Sequence, residues 1–203
     1  MKRVSAKLIA MMLCCLMVVS LTACDMDLSG GALSSLTKPN SSTLKPEISM
    51  TNPPAAAKIE IPFGYVEYND GHVSFAYPKD WGIEPGEITI ISDNSGTNSN
   101  ITVANEMYSS IYDSMTAKEY IDLVGQAYAS SGLEISNVVV DRVYSGSGER
   151  VTKITHTTSA SGIIMEQTLL VIGCGHFNYV VTATELENTE LVDVVLETLH
   201  SVD

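Results

Sequence analysis

The chain is short of the residues that usually announce chemistry. Of its four cysteines only Cys174 lies beyond residue 24, so the downstream chain cannot close a disulfide on itself. Basic residues number 11 against 24 acidic ones and form no stripe, which removes nucleic acid from the expected partners. The four histidines, His72, His156, His176 and His200, stand apart without the close His or Cys spacing of a zinc site and read as surface or turn residues. Serine is plentiful, yet no G-x-S-x-G elbow occurs, and Ser145-Gly146-Ser147-Gly148 reads as a turn. Gly173 and Gly175 flank Cys174, but a strand follows them where a phosphate cradle needs a helix N-terminus. No catalytic residue, metal ligand or cofactor is expected, and the chain does not read as an enzyme.

Long apolar runs are also scarce. The longest covers residues 8–19 and follows Lys2, Arg3 and Lys7. As a helix it would span only about 18 Å, short of the roughly 30 Å hydrocarbon core, so it reads as the apolar part of a signal peptide. It closes on Leu21-Thr22-Ala23-Cys24, which resembles the lipobox of bacterial lipoprotein precursors. That resemblance implies cleavage between Ala23 and Cys24 and a diacylglyceryl group on the Cys24 thiol. Each buried CH₂ contributes about 0.8 kcal/mol, and two chains on one residue hold a protein where a single chain does not. Cys14 and Cys15 leave with the leader. Its removal takes three basic residues and no acidic one, leaving 8 against 24, a net charge of −16.

From Asp25 to about Lys58 the composition turns to Ser, Thr, Pro, Gly and Ala, with leucines too scattered to show a period. This is a tether with a root-mean-square reach near 30 Å. The expected organisation is thus a signal peptide over 1–23, a lipidated N-terminus and tether over 24–58, and one globular domain over 59–203. Asp25 resembles the residue that retains some lipoproteins in the inner membrane of cells with two membranes.

The domain carries strand signals broken by turns. Residues 65–68 and 72–77 flank Asn69-Asp70-Gly71, a hairpin signal because these residues tolerate positive φ. Residues 88–91 and 101–104 flank a polar tip between Asp93 and Asn100, which lacks the alternating carboxylates of a dedicated calcium loop. Thr116-Ala117-Lys118-Glu119 fits a capping box. Ala117, Tyr120, Ile121, Val124 and Tyr128 then make a helical stripe, read as a core face, and Gly132 is placed to end the helix. Strands follow over 135–144, 149–158, 163–172 and 177–184, separated by short Gly and Ser turns, and a last helix over 189–202 directs Leu191, Val195, Leu199 and Val202 inward. The sum is an α+β fold, an antiparallel β-sheet with helices packed on it.

Phe75-Ala76-Tyr77-Pro78-Lys79-Asp80-Trp81, the helix with Ala117-Lys118-Glu119-Tyr120, the hairpin from Leu170 to Thr184 and the closing helix together resemble the PsbP-like domain over residues 63–203. That family includes the extrinsic photosystem subunit of plants and cyanobacteria and many bacterial lipoproteins. The resemblance implies an α/β/α sandwich and a non-enzymatic, assembly-related role, with Trp81 as a plug between sheet and helix. The tether and the few lysines depart from the photosynthetic members, so photosystem binding is not implied.

The functional expectation is therefore a lipid-anchored protein on the extracytoplasmic face of the cell membrane, its partners the membrane, through the diacylglyceryl group on Cys24, and another envelope protein. The alternative is an envelope lipoprotein that binds a small ligand or a metal. For Cys174, pairing between molecules or a redox role stands beside the plainer reading of a small turn residue.

Overall fold

The computed structural model describes residues 58–94, 99–160, 162–185 and 190–202. The leader, Ala23, Cys24 and all but the last residue of the tether lie outside this range, as do residues 95–98 of the polar tip. The elements run β1 (Tyr65–Asn69), β2 (Val73–Pro78), β3 (Gly82–Glu84), β4 (Thr89–Ser92), β5 (Asn100–Met107), α1 (Ile111–Ser114), α2 (Ala117–Ser130), β6 (Glu134–Tyr144), β7 (Arg150–Ala160), β8 (Ile163–Cys174), β9 (Phe177–Glu185), α3 (Glu190–Thr198) and β10 (His200–Ser201).

The turns form for the reasons their residues suggest. Between β1 and β2, Asp70 Oδ1 accepts the backbone N–H groups of His72 and Val73 at 2.9 Å, and Gly71 takes φ +89°. At the start of α2, Thr116 Oγ1 accepts from the Glu119 N–H at 3.3 Å while Glu119 Oε2 accepts from the Thr116 N–H at 2.8 Å. At its end, Leu133 N–H reaches the Tyr128 carbonyl and Gly132 N–H reaches Ala129, both at 3.0 Å, with Gly132 at φ +72°.

Seven strands form one antiparallel sheet in the order β3-β4-β5-β9-β8-β7-β6, and β1-β2-β10 form a second, smaller one. Alternation along the central strands gives the large sheet two apolar faces. Leu170, Ile172, Tyr179, Val181 and Ile101 point to one side and pack with Phe75 and Val73 of the small sheet and with Leu191, Val195 and Leu199 at α3. Leu169, Val171 and Ile154 point to the other and meet Tyr120, Val124 and Tyr128 of α2. The expected α+β sandwich is what forms, with β9 buried on both sides.

Several local expectations are corrected. Ile121 is 41% exposed, because the face centred on Tyr120, Val124 and Tyr128, with Leu123 at its edge, is the one that meets the sheet. The last helix stops at Thr198, whose hydroxyl donates to Val194 O at 2.6 Å and accepts the Ala76 N–H at 2.8 Å. Leu199 is buried just beyond the helix, and the chain then pairs with β2 as β10, so Val202 lies outside the helix and donates its N–H to His72 O at 2.7 Å. A bulge places Asn137 at φ +53° where β6 shifts register against β7.

The β6–β7 turn is fastened to this C-terminal segment. Glu149 accepts from the Ser201 hydroxyl and, at 2.9 Å each, from the Ser201 N–H and the Ser147 hydroxyl.

Candidate functional site

The residues singled out from sequence do not converge. Ala23 and Cys24 lie outside the described residues. His72 stacks on Tyr179 with ring centroids 6.0 Å apart, His176 is exposed in the β8–β9 turn, and His200 Nδ1 lies 2.9 Å from Thr198 O. Trp81 is half-buried against the first core. Among the described residues no three His, Cys, Asp or Glu gather closely enough to hold a metal ion.

His156 corrects the reading of the histidines as surface or turn residues. It is fully buried under α2, its Nε2 3.2 Å from Gln167 Oε1 and 3.3 Å from Tyr128 Oη, and its Nδ1 has no partner among the described residues. Gln167 donates its amide to Thr184 Oγ1 at 3.1 Å, which leaves Oε1 to accept and selects the Nε2–H tautomer. Burial holds the imidazole pKa down at about 4. Cys174 is the last residue of β8 and not part of the turn, half-buried, with its pKa pushed up to about 11 by burial and by the charges of Glu149 and Asp70. Its thiol is protonated at neutral pH and so a poor nucleophile.

Polar groups do converge at one end of the large sheet, in a cleft of about 340 Å³ lined by residues that include Tyr108, Tyr112, Arg142, Arg150, Thr152 and Asn178. The connection from β5 through α1 forms its wall and is stitched to the sheet. Tyr108 N–H donates to His176 O at 2.9 Å, Asn178 Nδ2 to Ser109 O at 3.0 Å, and Thr152 Oγ1 to Tyr112 O at 3.0 Å. Arg142 reaches across, giving Nε to Asp113 O at 3.0 Å and Nη2 to Met115 O at 2.9 Å. Behind the wall the Tyr112 hydroxyl bonds the Glu106 carboxyl. Burial raises both pKa values, and the Glu106 charge raises that of Tyr112 further.

Arg142 and Arg150 are the only arginines after Arg3. The register pairs Arg142 with Thr152 and Tyr144 with Arg150, which sets the two guanidiniums on one face of adjacent strands as diagonal neighbours. Burial lowers the Arg142 pKa, and repulsion from Arg150 lowers it further against the weaker pull of Asp113 and Asp141. Sequence reading missed both residues, although the hairpin register about Ser145-Gly146-Ser147-Gly148 would have put them on one face.

The same end carries an apolar rim of Met107 (74% exposed), Tyr108, Ile111 and Phe177, with Met107 and Phe177 paired across β5 and β9. The chain enters the domain at the other end. Tyr65 at the start of β1 pairs with Pro78, Gly64 O accepts from Lys79, and Asp80 O accepts from Asn94 Nδ2 in the β4–β5 tip. The length of β9 separates the two ends by about 30 Å.

No family model and no curated protein matches the chain. Solved structures do. The solution structure of cyanobacterial PsbP (CyanoP) from Synechocystis sp. PCC 6803 is 16% identical, with a TM-score of 0.53 over 68% of this chain and 92% of that one. A Bacteroides thetaiotaomicron crystal structure is 16% identical, with a TM-score of 0.42 over 64% of this chain and 45% of the other. LpqN, involved in cell envelope biogenesis of Mycobacterium tuberculosis, is 14% identical, with a TM-score of 0.38 over 68% and 91%. The likeness to CyanoP makes the fold PsbP-like, as the sequence resemblance implied, and at this identity it extends to the fold alone.

Proposed function

We propose that this chain is a lipid-anchored docking module of the bacterial envelope. Diacylglyceryl on Cys24 holds it to the membrane, the tether over 24–58 lifts the domain clear, and the domain binds another envelope protein without catalysing a reaction. The observation that carries the docking reading is the end opposite the tether, where both arginines of the domain line a cleft together with the exposed Tyr108. Tyr, Met, Phe and Arg are the residues enriched at protein interfaces, and a tether raises the local concentration of whatever they meet.

The groups that could act as nucleophile or base support the non-enzymatic reading. His156 is sealed under α2, Cys174 holds its proton, and Tyr112 is spent on Glu106. The alternative of small-ligand binding draws on the same cleft, whose volume suits a compact polar molecule. A ligand-dependent rise in melting temperature at saturating concentration would favour it.

Replacing the anchor tests the first half of the proposal. With Cys24→Ser the protein is expected in the soluble fraction or as an uncut precursor, having lost the acyl chains that partition into the bilayer. Retention of Cys24→Ser in washed membranes, with the leader removed, would count against lipid anchoring while leaving the docking end untouched.

A further inference from the structure

The two cleft arginines pose an electrostatic problem that the folded chain does not solve for itself. Like charges set side by side on adjacent strands are unfavourable. This sequence has 24 carboxylates with which to relieve them. Yet among the described residues no carboxylate forms an ion pair with either guanidinium. Arg142 gives its hydrogen bonds to the backbone carbonyls of Asp113, Met115 and Asp141; of the two acidic side chains lining the cleft, Glu149 is committed to Ser147 and Ser201, while Asp113, with Asp141, attracts Arg142 more weakly than Arg150 repels it. Arg150 is exposed, and its guanidinium makes no hydrogen bond among the described residues.

We propose that the cleft is a receptor for an acidic peptide segment of a partner protein, with the guanidiniums of Arg142 and Arg150 taking a carboxylate and the exposed ring of Tyr108 at the rim taking a neighbouring apolar side chain. The proposal rests on the docking reading above and names the chemistry of what docks. Three of the five N–H groups of Arg142 are held by carbonyls, so its plane is fixed before a ligand arrives and two donors remain. The exposed Arg150 adds a second fork, and paired guanidiniums suit the two oxygens of a carboxylate. A peptide is favoured over a membrane surface because the cleft lies at the end away from the point where the tether joins the domain. Tyr108 is held against the cleft floor, its ring 3.4 Å from where a Cβ on Gly173 would stand, so the apolar contact and the charges are fixed relative to each other.

The test is selection of a random peptide library on the full chain, followed by titration of single selected peptides. Enrichment of Asp or Glu beside an apolar residue is expected, with affinity falling about tenfold on Arg150→Glu and about as much on Arg150→Gln combined with Arg142→Gln. Restoring affinity to Arg150→Glu with the Lys-for-Glu version of the same peptide would establish the charge contact. Peptides that bind the rim, lose affinity on Tyr108→Ala and ignore Arg150→Glu would overturn this proposal and leave the docking reading standing. Failure to select any peptide would likewise overturn this proposal and leave the docking reading to crosslinking in native membranes. Displacement of the peptides by millimolar inorganic phosphate, but not by acetate or succinate, would instead assign the cleft to phosphate and also overturn the proposal.

Discussion

Gly146→Ala is expected to destabilise the domain by about 3 kcal/mol, lowering its melting temperature by roughly 10 °C. A Cβ at position 146 would stand 2.1 Å from the backbone oxygen of Glu197 and 3.0 Å from its carbon, with no flexible side-chain end available to give way. Neither partner can retreat. The turn is closed by Gly148 N–H on Ser145 O and Ser145 N–H on Glu149 O, both at 2.9 Å. The end of α3 is held by Thr198 on Ala76 and by the buried Leu199, while the Ser147 hydroxyl reaches Leu199 O at 3.2 Å. Gly125→Ala makes the control, since a Cβ there meets only Ile121 Cγ2 at 3.7 Å and the site lies within α2. That change is expected to stabilise by up to about 1 kcal/mol through helix propensity. Urea unfolding of the two variants should therefore move in opposite directions. A Gly146→Ala midpoint within error of the parent would show that the turn does not seat on α3 as described.

The second large effect is acid sensitivity centred on His156. In the folded domain its pKa is held at about 4, and in the unfolded chain it returns to about 6.5. Because the folded value is the lower one, the unfolded chain binds the extra proton in the window between them. Stability therefore falls as pH drops from about 6.5 to about 4, by roughly 3 kcal/mol in all. No counter-charge meets the imidazolium, since its surroundings are the rings of Tyr120 and Tyr128, at 5.5 and 5.7 Å between centroids, and the neutral amide of Gln167. Glu106 acts in the opposite sense. Burial raises its folded pKa, so its contribution favours the fold in acid. Comparison with His156→Gln isolates the histidine. The parent should lose about 3 kcal/mol more than the variant between pH 6.5 and 4 in urea unfolding, and parallel profiles would show that His156 is already charged or exposed in the native state.

The architecture was legible wherever a local rule and the tertiary structure agree. Asn69-Asp70-Gly71, the Thr116 to Glu119 box and Gly132 each settle a boundary through backbone bonds that their own side chains or φ values require. The alternation of Tyr179, Val181 and Ala183 with Asn178, Val180 and Thr182 marked β9 as a strand with at least one buried face. Legibility failed where long-range contacts decide. Nothing in residues 189–202 marks a stop at Thr198, because the helix ends on a hydroxyl bond to Ala76, far away in sequence. The burial of His156 was not legible, since Thr158 shares its face of β7 and Lys153, Thr155 and Thr157 lie on the other, so that the whole segment looks polar. The three-residue β3, the four-residue α1 and the two-residue β10 are too short to show any period. The cleft was hidden for a related reason. Arg142 and Arg150 become neighbours only through the β6–β7 register, and Tyr108 joins them only because β5 ends beside the β8–β9 turn.

Photo-crosslinking from the two ends of the domain tests the docking account most directly. Met107 and Ile164 are both apolar and exposed, at 74% and 67%, and lie at opposite ends of the large sheet, Met107 at the end that carries the cleft and Ile164 at the β7–β8 tip. With a photoreactive residue at each position in turn, in the full lipidated chain within native membranes, a discrete protein adduct should form from position 107 and not from position 164. Adducts of the same proteins in the same yield from both positions, or an adduct from position 164 alone, would contradict it.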